Sequence, residues 1–209
     1  MTPPIAEPLH LFDCVMPCAG AEAFLVMSEE RAVRLKIPFA RILSTIERHN
    51  AYPDDPIQMR AGWALERDEL YAQAGAGPGD MDFVQTYDDY PVISAMQLED
   101  LGFCGKCEAP AFLRAHRFTH DGDFPLNTSG GQLSVGQAGA AGGFLGMTEA
   151  IRQLTGEAGE RAVKDAKLGL VSGFGMVTYD RCLCTGAVIL GRAPCPAPRE
   201  RAGGEGSAP

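Results

Sequence analysis

The stretch that most constrains this chain is residues 127–143, Asn-Thr-Ser-Gly-Gly-Gln-Leu-Ser-Val-Gly-Gln-Ala-Gly-Ala-Ala-Gly-Gly, with helical spacing in residues 144–154 directly behind it. A run of such small residues cannot fill a core. It lets backbone approach backbone or ligand closely, and a helix opening from glycines points free N–H groups at whatever lies there. The stretch reads as a ligand loop. Two other readings stay open beside it. Gly136-x-x-Gly139-x-x-Gly142 resembles a phosphate cradle but lacks the G-x-G opening of the dinucleotide fingerprint, and a loop this small could serve close packing alone.

The rest of the chain supplies the scaffold. Residues 1–13 read as an extended, Pro-rich lead-in, and the apolar run 19–27, stopped by Ser-Glu-Glu-Arg, predicts a buried strand followed by a polar turn. A second strand is expected over 39–46 and a loop with Pro53 and Pro56 over 47–63. Residues 65–74 have helical composition and end at Gly75, a usual helix stop. A strand over 81–86 leads into Tyr87-Asp88-Asp89-Tyr90-Pro91, then a helix over 92–101, then a long irregular connection over 102–126. Two final strands, 167–177 and 184–190, flank the turn residues 178–181, and the tail from 192 is too poor in hydrophobes to pack. Alternating strands and helices predict an α/β fold with a mixed sheet.

Composition removes several classes of function. Lys and Arg number 18 against 27 Asp and Glu, a formal charge of −9 with no basic cluster, so a nucleic-acid partner is not expected. The start lacks a signal peptide's basic and apolar regions, and no apolar run could span a bilayer, which places the chain in the cytoplasm. Seven cysteines without a secretion signal point to free thiols, a metal site or redox chemistry ahead of disulfides. Cys104-x-x-Cys107 lacks the second short-spaced pair that structural zinc takes, and His116 and His120 read as surface residues, so no metal ligand is assigned.

Four segments, in order, carry a resemblance to the thiolase superfamily, specifically its lipid-transfer-protein-associated, thiolase-like branch. Residues 127–143 resemble the family's Asn-x-x-Gly-Gly segment running into its Gly-His-Pro loop. Tyr87-Asp88-Asp89-Tyr90 stands where the family has Asn-Glu-Ala-Phe or His-Asp-Cys-Phe, residues 13–27 are similar to the strand closing its N-terminal half, and residues 182–190 resemble its last, Cys-containing strand. The resemblance covers residues 5–190 and implies the C-terminal half of a layered αβαβα fold: residues 1–35 as a remnant of the N-terminal half, 36–191 as the C-terminal domain and 192–209 as a disordered tail. It implies a nucleophilic cysteine in an N-terminal half that this chain is expected to lack, supplied by a partner half or a homologous subunit in a homo- or hetero-oligomer.

The same resemblance assigns the site. Gln137 takes the place of the loop histidine that holds a thioester oxygen; an amide can donate to an oxyanion but cannot accept and carry a proton at neutral pH. Tyr87 stands where Asn or His holds a water or oxyanion, Asp89 replaces a cysteine and could act as a base, and Cys182 lies near the family's acid/base cysteine, with Cys184 in that place if the register slips by two. Asn127, Gly130, Gly131 and Gly136 are implied to bind substrate. The implied activity is that of an acyl-CoA C-acyltransferase of the acetyl-CoA acetyltransferase type, acting on acyl-CoA thioesters, with coenzyme A as part of the substrate and no held cofactor. A thiolase-like retro-aldolase that leans on tyrosine, and a non-catalytic subunit that completes a partner's fold, remain as alternatives.

Overall fold

A computed structural model describes residues 2–175 and 184–194. In chain order its elements are β1 (Pro4–Ala6), β2 (Leu9–His10), α1 (Glu29–Leu35), β3 (Ala40–His49), α2 (Trp63–Ala74), β4 (Phe83–Gln85), α3 (Pro91–Asp100), α4 (Ala109–Ala115), α5 (Gly131–Val135), α6 (Leu145–Thr155), β5 (Leu168–Gly175) and β6 (Cys184–Arg192). The main sheet runs β3-β6-β5-β4, with β3/β6 and β5/β6 antiparallel and β4/β5 parallel, so the fold is α/β with a mixed sheet as the alternation of elements implied. No helix among the described residues is long and apolar enough to cross a membrane.

Strand period 2 builds the core on both faces of this sheet. Leu170, Phe174, Ala187 and Ile189 face α2 and α3 with Trp63, Leu70, Tyr71 and Met96; Val171, Val188 and Leu190 face α6 with Phe83, Ala150 and Leu154. Each large side chain buried here is worth about 1.5–3 kcal/mol, and both faces must be covered because both are apolar. Polar contacts set the helices in place. The Trp63 indole donates to the Gly186 carbonyl at 2.9 Å, and the Tyr71 hydroxyl donates to the Leu101 carbonyl at 2.9 Å. The buried Asp100 carboxylate accepts from the Ala61 amide at 2.7 Å and from Lys106 Nζ at 2.9 Å, tying the approach to α2 to the end of α3. Gly75 closes α2 in the left-handed conformation, as its sequence position indicated.

Three expectations need correction. Residues 19–27 form no strand: no described strand stands beside them to take their hydrogen bonds, Phe24 packs edge-on against Phe144, and Leu25 and Val26 are 84% and 73% exposed. Apolar content alone does not separate strand from coil. The supposed polar turn after it is helix α1, capped by Ser28, whose side chain accepts from the Arg31 amide, with Glu29 and Glu30 in the first turn. The long connection 102–126 contains α4, anchored by an aromatic cluster in which Phe124 meets Phe103 and Phe112 edge-on at 5.2 and 5.0 Å. The lead-in forms the small β1/β2 hairpin, and β6 runs on to Arg192. The turn expected at 178–181 and the tail beyond 194 lie outside the described residues.

Two glycines on β5 make a matched test of the packing. A Cβ on Gly169 would land inside the ring of buried Phe83, whereas one on Gly173 would meet nothing within 4 Å. Gly169→Ala is expected to lower stability by about 1–3 kcal/mol by overpacking. Gly173→Ala is expected to stay within about 0.5 kcal/mol of the parent. Urea unfolding midpoints of the two variants measure the difference.

Candidate active site

The site forms where β4 ends. Because β4 and β5 run parallel, the turn that follows Gln85 emerges at the carboxyl end of the sheet, and the backbone arriving at the glycine loop comes alongside it. Val84 accepts from the Asn127 amide at 2.9 Å, and its own amide donates to the Pro125 carbonyl at 2.9 Å. Asn127, left-handed at φ 46°, turns its side chain back onto the strand: Oδ1 accepts from the Thr86 amide at 2.7 Å and Nδ2 donates to Thr86 Oγ1 at 3.2 Å.

The next residues of each segment lock together. Asp88 Oδ1 accepts from the Gln132 amide at 2.7 Å, at the start of α5. A Cβ on Gly131, at φ 64°, would fall within the Asp88 carboxylate, so only glycine fits. Gly136, at φ 91°, packs against Cys18 and the Met16 carbonyl, and Gln137 is held on both sides by that segment: its amide donates to the Met16 carbonyl at 2.9 Å and its carbonyl accepts from the Cys18 amide at 3.0 Å. Gln137 Nε2 then donates to the Tyr87 hydroxyl at 2.6 Å. The two residues implied to polarise an oxygen, fifty positions apart in the chain, are thus direct partners.

Two residues that sequence reasoning did not single out hold this arrangement. Gln97, fully buried on α3, grips the Tyr87 backbone from both sides: Oε1 accepts from the Tyr87 amide at 3.0 Å and Nε2 donates to its carbonyl at 2.7 Å. Its Oε1 also accepts from Ser172 Oγ on β5 at 2.6 Å. Glu149, fully buried on α6, accepts from Thr128 Oγ1 at 2.8 Å, from Gln153 Nε2 at 3.0 Å and from Arg161 at 3.1 Å, while Gln85 Nε2 donates to the same Thr128 hydroxyl at 3.0 Å. The available signal was a glutamine between Met96 and Leu98, and a glutamate on the apolar side of a helix.

Burial dominates the electrostatics. It pushes the Tyr87 phenol up, an effect that the nearby Asp89 charge adds to and the Gln137 hydrogen bond partly offsets, so the phenol is a protonated donor at neutral pH. Burial likewise pushes Asp88 up to about 6, tempered by the amides of Gln132 and Leu133. Asp89 is 1% exposed, its two oxygens accept no well-formed hydrogen bond among the described residues, and burial pushes it up to about 6, tempered by the amides of Tyr90 and Asp89 itself.

Space for a ligand adjoins these groups. Tyr87, Asp88, Asn127, Gly131 and Ser129 line a cleft of about 10 Å³, room for one water-sized group, which Gln132 also lines, its side-chain Oε1 without a hydrogen-bond partner among the described residues. A groove of about 390 Å³ runs between residues 18–22 and the glycine loop, lined also by Arg152 and Arg161. Gly130, at φ 96°, turns the chain into α5. Cys182 lies outside the described residues. Cys184 opens β6 with Glu47 as its partner at 3.8 Å, and burial and that carboxylate push its thiol up. Cys104 and Cys107 join no group of three potential metal ligands among the described residues.

Known proteins share this architecture. A family model described as thiolase C-terminal domain-like matches residues 54–192, from just before α2 to the end of β6. A "Steroid side-chain-cleaving aldolase" of Thermomonospora curvata is 37% identical over 159 residues, covering 73% of this chain and 40% of the relative. A "17-hydroxy-3-oxo-4-pregnene-20-carboxyl-CoA lyase" of Mycobacterium tuberculosis is 36% identical over 162 residues, covering 73% and 40%. An "Acetyl-CoA acetyltransferase" of Methanothermobacter thermautotrophicus is 31% identical over 178 residues, covering 82% and 45%. Among solved structures, an "Ltp2-ChsH2(DUF35) aldolase" superposes with a TM-score of 0.74 at 29% identity, covering 91% of this chain and 49% of that one. The chain therefore spans less than half the length of the relatives it matches, and it belongs to the thiolase C-terminal domain-like family.

Proposed function

We propose that this chain is the C-terminal half of a thiolase-like aldolase, a lyase that cleaves the Cα–Cβ bond of a β-hydroxyacyl-CoA thioester. The observation that carries the reading is the Tyr87 phenol, held neutral and braced by the Gln137 amide, where a thiolase would carry an imidazole able to move protons. Its likeness to a lyase at 36% identity and to an aldolase at 37% supports it over the acyltransferase reading. Coenzyme A enters as part of the substrate, and the rest of the fold comes from an N-terminal half or a partner subunit.

In this reaction the β-hydroxyl loses its proton as its oxygen becomes a carbonyl. The Cα–Cβ electron pair passes to the thioester as an enolate, and the enolate is protonated at Cα to release a shortened acyl-CoA. Tyr87 O–H donates to the thioester oxygen on which the charge develops, and Gln137 Nε2–H fixes the phenol oxygen in place. Asp89, beside Tyr87 and with acceptor capacity to spare, takes the hydroxyl proton; a carboxylate raised to about 6 is ionised at neutral pH yet more basic than a solvated one. The groove beside the glycine loop receives the thioester's pantetheine arm.

Assayed in the assembled enzyme with a β-hydroxyacyl-CoA, Tyr87→Phe is expected to lower kcat by about 10²–10³-fold, the usual cost of one oxyanion donor. Cys182→Ala is expected to leave turnover unchanged. Loss of turnover in Cys182→Ala with retention in Tyr87→Phe would return the chain to the acyltransferase reading.

Asp89 links activity to stability. Its folded-state pKa lies near 6 against an ordinary 3.8, so the folded chain keeps a proton that the unfolded chain releases between these values. Stability therefore falls as pH rises through that window and stays lowered above it. Asp89→Asn is expected to be more stable than the parent above pH ~6 by about 1–3 kcal/mol, with the gain vanishing near pH ~4. The same variant is expected to be inactive. Thermal melts and turnover across this pH range check both halves.

A further inference from the structure

The register of the β3/β6 pair sets three dissimilar metal-binding side chains side by side, away from the groups used above. His49 and Cys184 are directly opposed in the antiparallel ladder, and Glu47, two residues back on β3, projects from the same face. That face is the one α6 covers elsewhere, opposite the side on which Arg48 reaches Glu66 of α2. Glu47 Oε1 lies 2.6 Å from His49 Nε2 and 3.8 Å from Cys184 Sγ, and one ligand atom from each residue falls within 4.8 Å of the others. We propose that Glu47, His49 and Cys184 form a zinc-class divalent metal site that clips the end of β3 to the start of β6.

The donor set favours such an ion. Imidazole with thiolate suits zinc and cobalt, and a carboxylate completes three protein ligands with one position left for water. Bonds of about 2.0–2.3 Å in a tetrahedron place ligand atoms roughly 3.3–3.8 Å apart. The Cys184–Glu47 separation already lies in that range, and the His49–Glu47 pair opens by less than about 1 Å. The side chains of His49 and Glu47 are 58% and 65% exposed, so an ion can reach them and they can turn to meet it. Binding displaces the thiol proton of Cys184 to solvent as the S–metal bond forms. Edge strand β3 gains a second tie to the sheet there, beside the ladder. The site is independent of the proposed lyase chemistry.

Cobalt(II) titration of the full chain under a non-chelating reductant, followed by zinc(II) competition, tests the proposal. Expected are a sulfur-to-cobalt charge-transfer band saturating at one equivalent, tetrahedral visible bands, and their displacement by zinc. Cys184→Ser is expected to remove the charge-transfer band and His49→Ala to weaken binding at least about tenfold, a lost ligand costing a large share of affinity. The double variant Cys104→Ser/Cys107→Ser is expected to keep the band. Far-ultraviolet circular dichroism of each variant confirms an unchanged fold, and His49→Ala, altering an exposed side chain, serves if Cys184→Ser unfolds. No band in the parent chain, a band that survives both Cys184→Ser and His49→Ala, or one lost in the Cys104→Ser/Cys107→Ser variant would overturn the proposal.

Discussion

The Asp88 carboxylate lies against Gly131 so closely that no side chain could stand there, and it accepts the Gln132 amide at the start of α5. This contact joins the turn after β4 to the glycine loop, and the geometry of the site descends from it. With Asp88 fixed, Tyr87 sits one residue before the junction and Gln137 a short helix beyond it, so the phenol and the amide meet at 2.6 Å. The cost is a carboxylate pulled from water, which shows as its raised pKa. The amides of Gln132 and Leu133 offset part of that cost, and a longer residue at 131 would undo the offset by pushing the loop away.

Around this junction the interior is polar, and its buried glutamine, glutamate and threonine side chains share partners. Gln97 uses both ends of its amide on Tyr87 and still accepts from Ser172. Thr128 is shared among Gln85, Glu149 and Gln153, so the hydroxyl at the head of the glycine loop is pinned to β4 and α6 together. A satisfied buried network specifies one arrangement, because any shift would leave a donor or acceptor without water or partner. Ser129 Oγ, Gln132 Oε1 and the Asp89 carboxylate lack such partners among the described residues, and of these three Asp89 alone can carry a charge. Its oxygens are buried without a well-formed bond, the sort of unsettled carboxylate that proteins keep where chemistry needs a base.

The sequence made much of this legible, but unevenly. β3, β4, β6, α2, α3 and α6 could be read from spacing, Gly75 and the glycine cluster, because each obeys a local rule. Likeness to a family, not periodicity, named Tyr87 and Gln137 as site residues, but their direct contact was not legible, since fifty residues and three helices lie between them. Gln97 and Glu149 were passed over because a polar residue on an apolar helix face acquires meaning only when its partners are known. The Glu47, His49 and Cys184 cluster was out of reach for a geometric reason. It depends on an antiparallel register with an irregularity between Ile42 and Ser44, and a slip of one residue there would send Cys184 to the other face of the sheet from His49.

The exchange of an imidazole for an amide bears on which reaction such a site can run. Thiolysis asks one loop residue to hold an oxyanion and also to trade protons with a thiol, and a glutamine can do only the first. Retro-aldol cleavage separates the tasks. The enolate arises when a carbon–carbon bond breaks, so it needs a donor at its oxygen and a base at the hydroxyl, but no thiolate. In the reaction proposed above the donor is the Tyr87 phenol, whose pKa is raised by burial and by the neighbouring Asp89, and the base is Asp89, raised by burial. The two protonation states that the proposed cleavage asks for are compatible: the charge on Asp89 helps hold the proton on Tyr87, and the neutral phenol adds no charge that would oppose ionisation of Asp89.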